Sequence, residues 1–189
     1  MRWRIPYGLA LAVAFVVQAG LVGWLIVDRV ALLANGREVR LAVVPVDPRD
    51  LLRGDYVVLS YDISQLDSGA LDGDDSFATG DPIYVSLAEQ DGGWTATAIA
   101  HAPPAAGTWI AGAVTSIRTD GQGCIAGCKT YGVDYDIERF FVPEGTGRDL
   151  EKLRNDQRLA VDIALAPNGR AALKRLLVDG TPRYEEPLI

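Results

Sequence analysis

The chain of 189 residues contains one histidine, His101, two cysteines, Cys124 and Cys128, and one methionine, the initiator. A metal centre built on several histidines is therefore excluded, because structural zinc sites take about four ligands and histidine and cysteine supply most of them. Lysine occurs only at Lys129, Lys152 and Lys174. The net charge is −7 at pH 7 and no basic stripe runs through the chain. Nucleic acid is thus excluded as a partner, since phosphate binding needs clustered Lys and Arg. No low-complexity tract and no fixed-period repeat is present. Hydrophobic residues make up 49% and charged residues 23%, which suits a chain with a real core.

What is abundant is apolar sequence at the N-terminus. No charged residue falls between Ile5 and Val27, while Arg2 and Arg4 precede the run and Asp28 and Arg29 follow it. A bilayer core of about 30 Å needs about 20 such residues in a helix. Trp3, Tyr7 and Trp24 stand near the ends, where amphipathic rings favour the interface. The arginines place the N-terminus in the cytoplasm and the remainder outside. A cleaved signal peptide is the competing reading, with a small-x-small site at Val17–Ala19. The apolar run continues past that site and exceeds the roughly 7–15 residues of a signal core, which favours a retained single-pass signal-anchor. Residues 1–35 are then the cytoplasmic N-terminus and membrane anchor. Residues 36–189 are an exported domain, periplasmic or extracellular, with the lipid bilayer as its first partner.

Past Gly36 the pattern changes to a period of two. In "REVRLAVVPV", Val39, Leu41 and Val43 alternate with Arg40 and Ala42; in "DYVVLSYDI", Val57, Leu59, Tyr61 and Ile63 share a face. Alternation of this kind marks half-buried antiparallel strands. "PIYVSLAEQDGGWTATAIA" predicts a hairpin, and "TWIAGAVTSIR" and "VDYDIERFFV" predict further strands. In "RLAVDIALAPNGRAALKRLLVDG", Asn168-Gly169 predicts a type I′ turn. "SGALDGDDSFATGD" is a polar surface loop, and "GRDLEKLRND" predicts one short helix capped by Thr146. The fold class is mainly β: a transmembrane helix, then a mostly antiparallel β-domain, barrel or sandwich, with one short helix.

The segment "PVDPRDLLRGDY" concentrates charge, proline and glycine. Pro45 and Pro48 prevent a strand from continuing. Asp47 and Asp50 suit turns, and Arg49 and Arg53 can neutralise Asp47, Asp50 or Asp55. Two readings stand: a rigid ion-paired corner, or a binding site formed by Asp47, Arg49, Asp50, Arg53, Gly54, Asp55, Tyr56 and Tyr61 together with Glu138 and Glu144. Cys124 and Cys128, four apart in a Gly-rich loop, predict a disulfide in an oxidising compartment. No cofactor is expected.

"GDYVVLSYDI" carries the pattern G-D-Y-x-x-L-x-Y at Gly54, Asp55, Tyr56, Leu59 and Tyr61, and "YGVDYDIERFFVPEGTG" supplies aromatic strand residues followed by V-P-E-G. Together with the anchor and the late "VDG", these blocks resemble the GDYXXLXY protein family. The resemblance implies a bacterial membrane-anchored protein of uncharacterised function, encoded beside multi-pass membrane proteins. The expected function is a non-catalytic accessory or binding module. The alternatives are an envelope hydrolase using Asp55 with Glu138 or Glu144, and an inactive signal-peptidase-like domain. The last rests on a fainter likeness to S-x-x-P-x-x-x-x-G-D, in which Val46 occupies the nucleophile's place and no lysine has an apolar setting.

Overall fold

The computed structural model describes residues 6–44, 56–90, 92–119, 128–141 and 158–186. The predicted short helix over 147–156 lies outside them. Helix α1 runs unbroken over Tyr7–Asn35, with Pro6 at its N-cap where a missing N–H costs nothing. It is long and apolar enough to cross a membrane. Its 29 residues span about 43 Å, so about two turns extend beyond a bilayer core of about 30 Å.

Those last turns bind the β-domain. Leu33, 2% exposed, packs on Ala164 and Ala172. Asp28 pairs with Arg170 at 2.9 Å, and Arg29 approaches Glu186 at 3.7 Å. The helix stops at Gly36, as Asn35-Gly36 suggests, but not through a left-handed cap. Gly36 has φ −62, and its N–H donates to the Leu32 carbonyl at 2.8 Å. A Cβ there would stand 2.6 Å from that carbonyl and 2.9 Å from Ala164 Cβ. Close approach, not backbone handedness, calls for glycine here.

Thirteen strands follow among the described residues. The N-terminal ones are β1 (Arg37–Val44), β2 (Tyr56–Val58), β3 (Ser60–Tyr61), β4 (Gln65–Asp67) and β5 (Asp72–Gly73). The middle ones are β6 (Pro82–Gln90), β7 (Gly93–Ala100), β8 (Thr108–Arg118), β9 (Thr130–Asp134) and β10 (Arg139–Phe141). The last are β11 (Leu159–Leu165), β12 (Ala171–Val178) and β13 (Thr181–Glu185). One sheet has the order β13-β12-β11-β1-β3, another β4-β9-β8-β6-β7-β5, and β10 pairs with β2. All pairs are antiparallel except β5 with β7. The fold is thus mainly β behind one apolar helix. The alternation in β1 buries Val39, Leu41 and Val43 against residues of the other sheet such as Val85, Ile99 and Ile110, forming one shared core. Arg37 bridges the sheets by stacking 4.9 Å over the Trp94 ring.

Several expected elements are broken by local turns. "DYVVLSYDI" is not one strand: β2 and β3 are followed by a single 3-10 turn over Asp62–Ser64, although Leu59, Tyr61 and Ile63 are all buried. "VDYDIERFFV" is divided by a turn with Asp136 at φ 61. The β11–β12 hairpin forms, but not through a type I′ turn. Only Gly169 has positive φ, at 78. Ala166 N–H donates to Arg170 O at 2.8 Å, and Gly169 N–H donates to Ala166 O at 3.0 Å. Pro167 has its φ preset for the first central position of that turn, so a three-residue loop ending in a left-handed glycine is favoured. The two consecutive positive φ values of a type I′ turn occur instead at Asp179 (51) and Gly180 (77), joining β12 to β13.

Because no α1 residue belongs to the main core, a chain beginning at Arg37 is expected to fold cooperatively. Relative to one beginning at Asp28 it should lose about 2–3 kcal/mol, the value of burying one leucine plus two exposed ion pairs. Urea melts of the two chains measure this, and only aggregated product from the shorter chain would contradict it.

Candidate functional site

The two sequence blocks meet. Tyr56, Val57 and Val58 of β2 lie opposite Phe141, Phe140 and Arg139 of β10. Beyond that ladder, Leu59 N–H donates to Glu138 O at 2.7 Å. Two tyrosines then cross-pin the backbones. Tyr61 hydroxyl donates to Ile137 O, and Tyr135 hydroxyl donates to Ile63 O at 2.7 Å. Burial, and secondly the nearby Glu138 charge, push both phenols well above their ordinary range, so they remain neutral donors.

Glu138 organises the turn between β9 and β10. Its two carboxyl oxygens accept the N–H groups of Tyr135 at 2.8 Å and Ile137 at 2.9 Å. Asp134 Oδ1 accepts the Asp136 N–H at 2.8 Å, which holds Asp136 in its left-handed conformation. The Asp134 and Glu138 carboxyls also interact across this turn, and each shifts the other's proton affinity. Burial first, then the Asp134 hydrogen bond, raises Glu138 to about 7. The hydrogen bond from Glu138 lowers Asp134.

This pair makes stability depend on pH. Glu138 binds its proton more tightly in the folded state, so its contribution is complete below the ordinary carboxylate range and is lost as pH rises through about 7. Asp134 acts in the opposite sense, and only below its ordinary range. Between pH 5.5 and 8 the melting temperature should therefore fall. The change should amount to on the order of 1 kcal/mol, after allowance for the part of Glu138 that solvent screens. Glu138→Gln should flatten that slope; an unchanged slope in thermal melts would show that Glu138 is not its source.

Beside the turn lies an open cleft of about 480 Å³. Gly112 and Ala113 of β8, Ala171 of β12, Asp134, Asp136 and Arg170 line it. Gly112 permits the close approach on that wall, since a Cβ would stand 2.6 Å from Val133 Cγ1. Arg170 follows the β11–β12 loop, which is docked on β8 by Ala111 N–H donating to Gly169 O at 2.9 Å. Through Nη2, Arg170 donates to both Asp28 oxygens at 2.9 Å, so one wall of the cleft is tied to α1.

Of the residues singled out from sequence, Asp47, Arg49, Asp50, Arg53, Gly54, Asp55 and Glu144 lie outside the described residues. Tyr56 sits in β2. Tyr61 is 0% exposed and directs its hydroxyl at the backbone, which makes it a core pin and not a ligand-facing group. Glu138 holds the turn with both oxygens, and Asp55 and Glu144, the other carboxylates of the hydrolase reading, lie outside the described residues. Cys128 is disulfide-bonded, and Cys124 lies outside the described residues. Lys174 is paired with Glu38 at 2.5 Å, and Lys129 donates to Asp75 O at 3.2 Å, so neither has the apolar setting that a lysine base requires. The cleft residues Asp134, Asp136 and Arg170 were not anticipated. The only local signal was the turn chemistry of Asn168-Gly169 beside Arg170.

No curated protein and no solved structure matches the chain. A family model described as GDYXXLXY protein matches residues 18–176, which takes in α1 from its middle, both sequence blocks and the β11–β12 hairpin. The converging tyrosines and the match over most of the length agree: the chain belongs to the GDYXXLXY family.

Proposed function

We propose that this protein is a non-catalytic accessory module held by α1 at the outer face of the cytoplasmic membrane, N-terminus inside, where it works with a multi-pass membrane protein. The observation that carries the proposal is the rigid join between helix and domain. A tethered enzyme needs only a flexible linker, whereas α1 enters the sheet without a break and is fastened by Leu33, Asp28 and Arg29. Such a join fixes which face of the domain meets the membrane, as docking to a membrane-embedded partner requires. The arginines before the apolar run support the orientation. The polar groups of the turn also favour a non-catalytic role: Glu138 is spent on backbone N–H groups, and Tyr61 and Tyr135 on carbonyls.

The test is affinity purification of the full-length protein after mild detergent extraction, with reporter fusions at each terminus. A multi-pass protein should co-purify in stoichiometric amount, and only the C-terminal reporter should be active outside the cytoplasm. A protein that purifies alone, and whose deletion leaves neighbouring membrane proteins unchanged, would overturn the proposal.

A further inference from the structure

We propose that the cleft beside Arg170 holds a zwitterionic phospholipid headgroup, phosphate plus primary ammonium, drawn from the bilayer that α1 crosses. The inference rests on the anchored reading and names a ligand for that module. Its first support is position. Val27 ends the apolar run and Asp28 follows it. Arg170 reaches Asp28 directly at 2.9 Å, so the β11–β12 tip lies within one side-chain length of the point where α1 leaves the hydrocarbon. The headgroup layer on each side is roughly 5–7 Å thick. The cleft wall formed by Arg170 therefore stands at headgroup depth.

The second support is chemistry. Arg170 commits only Nη2 to Asp28, and among the described residues no partner takes its Nε or Nη1. Those donors form a planar fork suited to phosphate oxygens. Asp134 and Asp136 supply negative charge on the same cleft, and the Asp136 carboxylate accepts no hydrogen bond among the described residues. With Arg170 already paired to Asp28, the two carboxylates beside apolar Ala113 and Ala171 leave the cleft net negative, which a ligand ammonium offsets while the uncommitted Arg170 donors take the phosphate. An anionic glycerol headgroup lacks the ammonium and would meet the carboxylates of an acidic chain. A choline headgroup has the charge but no N–H to donate. The cleft's 480 Å³ falls within the roughly 300–1,000 Å³ of small-molecule sites.

Native mass spectrometry of the full-length protein, extracted from vesicles holding equal amounts of phosphatidylethanolamine, phosphatidylcholine and phosphatidylglycerol, tests this. One phosphatidylethanolamine should be retained, roughly tenfold over phosphatidylglycerol. Asp136→Asn keeps a residue that tolerates positive φ and should lower that retention roughly tenfold. Ala113→Leu should fill the cleft and abolish it. Both variants should melt as the wild type does. Equal retention of the three lipids, or full retention in both variants, would overturn the assignment. So would soluble phosphoethanolamine raising the melting temperature as much as the lipid does, since the source would then not be the bilayer. Alkaline carbonate extraction separates the two levels. Protein released from membranes sinks the anchored reading itself, whereas protein that stays in the membrane without lipid preference sinks only the headgroup.

Discussion

Gly169→Val is expected to destabilise the domain by about 3–5 kcal/mol, enough to unfold much of a marginally stable protein. Two independent penalties meet at this residue. Its φ is 78, which a β-branched side chain adopts only under strain. A Cβ built there would also lie 2.1 Å from Trp109 Cζ3 and 3.0 Å from the Ala111 N–H nitrogen. The indole cannot swing away freely, because Trp109 already packs edge-on to Tyr84 at 5.4 Å between centroids. The hairpin tip must then lift from β8, breaking the Ala111–Gly169 hydrogen bond and pulling Arg170 from Asp28. Asn168→Ala is the control: it removes one exposed hydrogen bond to Arg170 N–H at 3.2 Å and should cost under about 1 kcal/mol. Urea unfolding of the two variants decides between them. A cost for Gly169→Val no larger than that of Asn168→Ala would show that the tip is not docked as described.

That loop also marks where sequence stops being informative. Alternation placed Val39, Leu41 and Val43 of β1 and Leu59, Tyr61 and Ile63 on a buried face, because strand period is a local property. The binding-site reading grouped Tyr56 and Tyr61 with Glu138, and β2 does pair with β10. Turn type was legible only in part. Asn168-Gly169 carries the residues of a type I′ turn, yet Pro167 and the Trp109 ring select a longer loop, and Trp109 is far away in the chain. The turn at Asp136 was invisible for a similar reason: its left-handed φ is held by Asp134, which carried no local signal, and by Glu138, which stood out as a candidate binding residue and not as the holder of a turn. The cleft was beyond reach altogether. Arg170 and Asp28 are separated by 142 positions, and no local pattern connects them. The candidate corner over Asp47–Asp55 lies outside the described residues.

Asp162 shows the same limit with a larger energetic consequence. In "RLAVDIALA" it interrupts an apolar strand, and only the sheet order explains it. β11 lies between β1 and β12, which sets Asp162 opposite both Arg40 and Arg175. Arg40 binds it with two bonds, Nε to Oδ1 at 2.8 Å and Nη2 to Oδ2 at 3.2 Å, while Arg175 Nε stands 3.5 Å away. The lattice continues from Arg175 and Lys174 to Glu38. Asp162 is 4% exposed, and Arg175 Nε is buried with no hydrogen-bond partner. The carboxylate is therefore the nearest compensation for a buried donor. Asp162→Ala should cost about 3–5 kcal/mol, because it leaves cationic groups facing each other without their anion. Asp162→Asn keeps the shape and one acceptor but loses the charge, and should fall between that variant and the wild type. Replacing Arg40, Asp162 and Arg175 together by Met, Leu and Met should recover most of the loss, since an apolar cluster of similar volume has no charge to desolvate. Recovery in the triple variant separates an electrostatic cause from a simple cavity, which added bulk on neighbouring strands would not repair so completely. If Asp162→Ala costs under about 1 kcal/mol in denaturant melts, the pair behaves as a surface bridge, and the sheet owes its order to the apolar face alone.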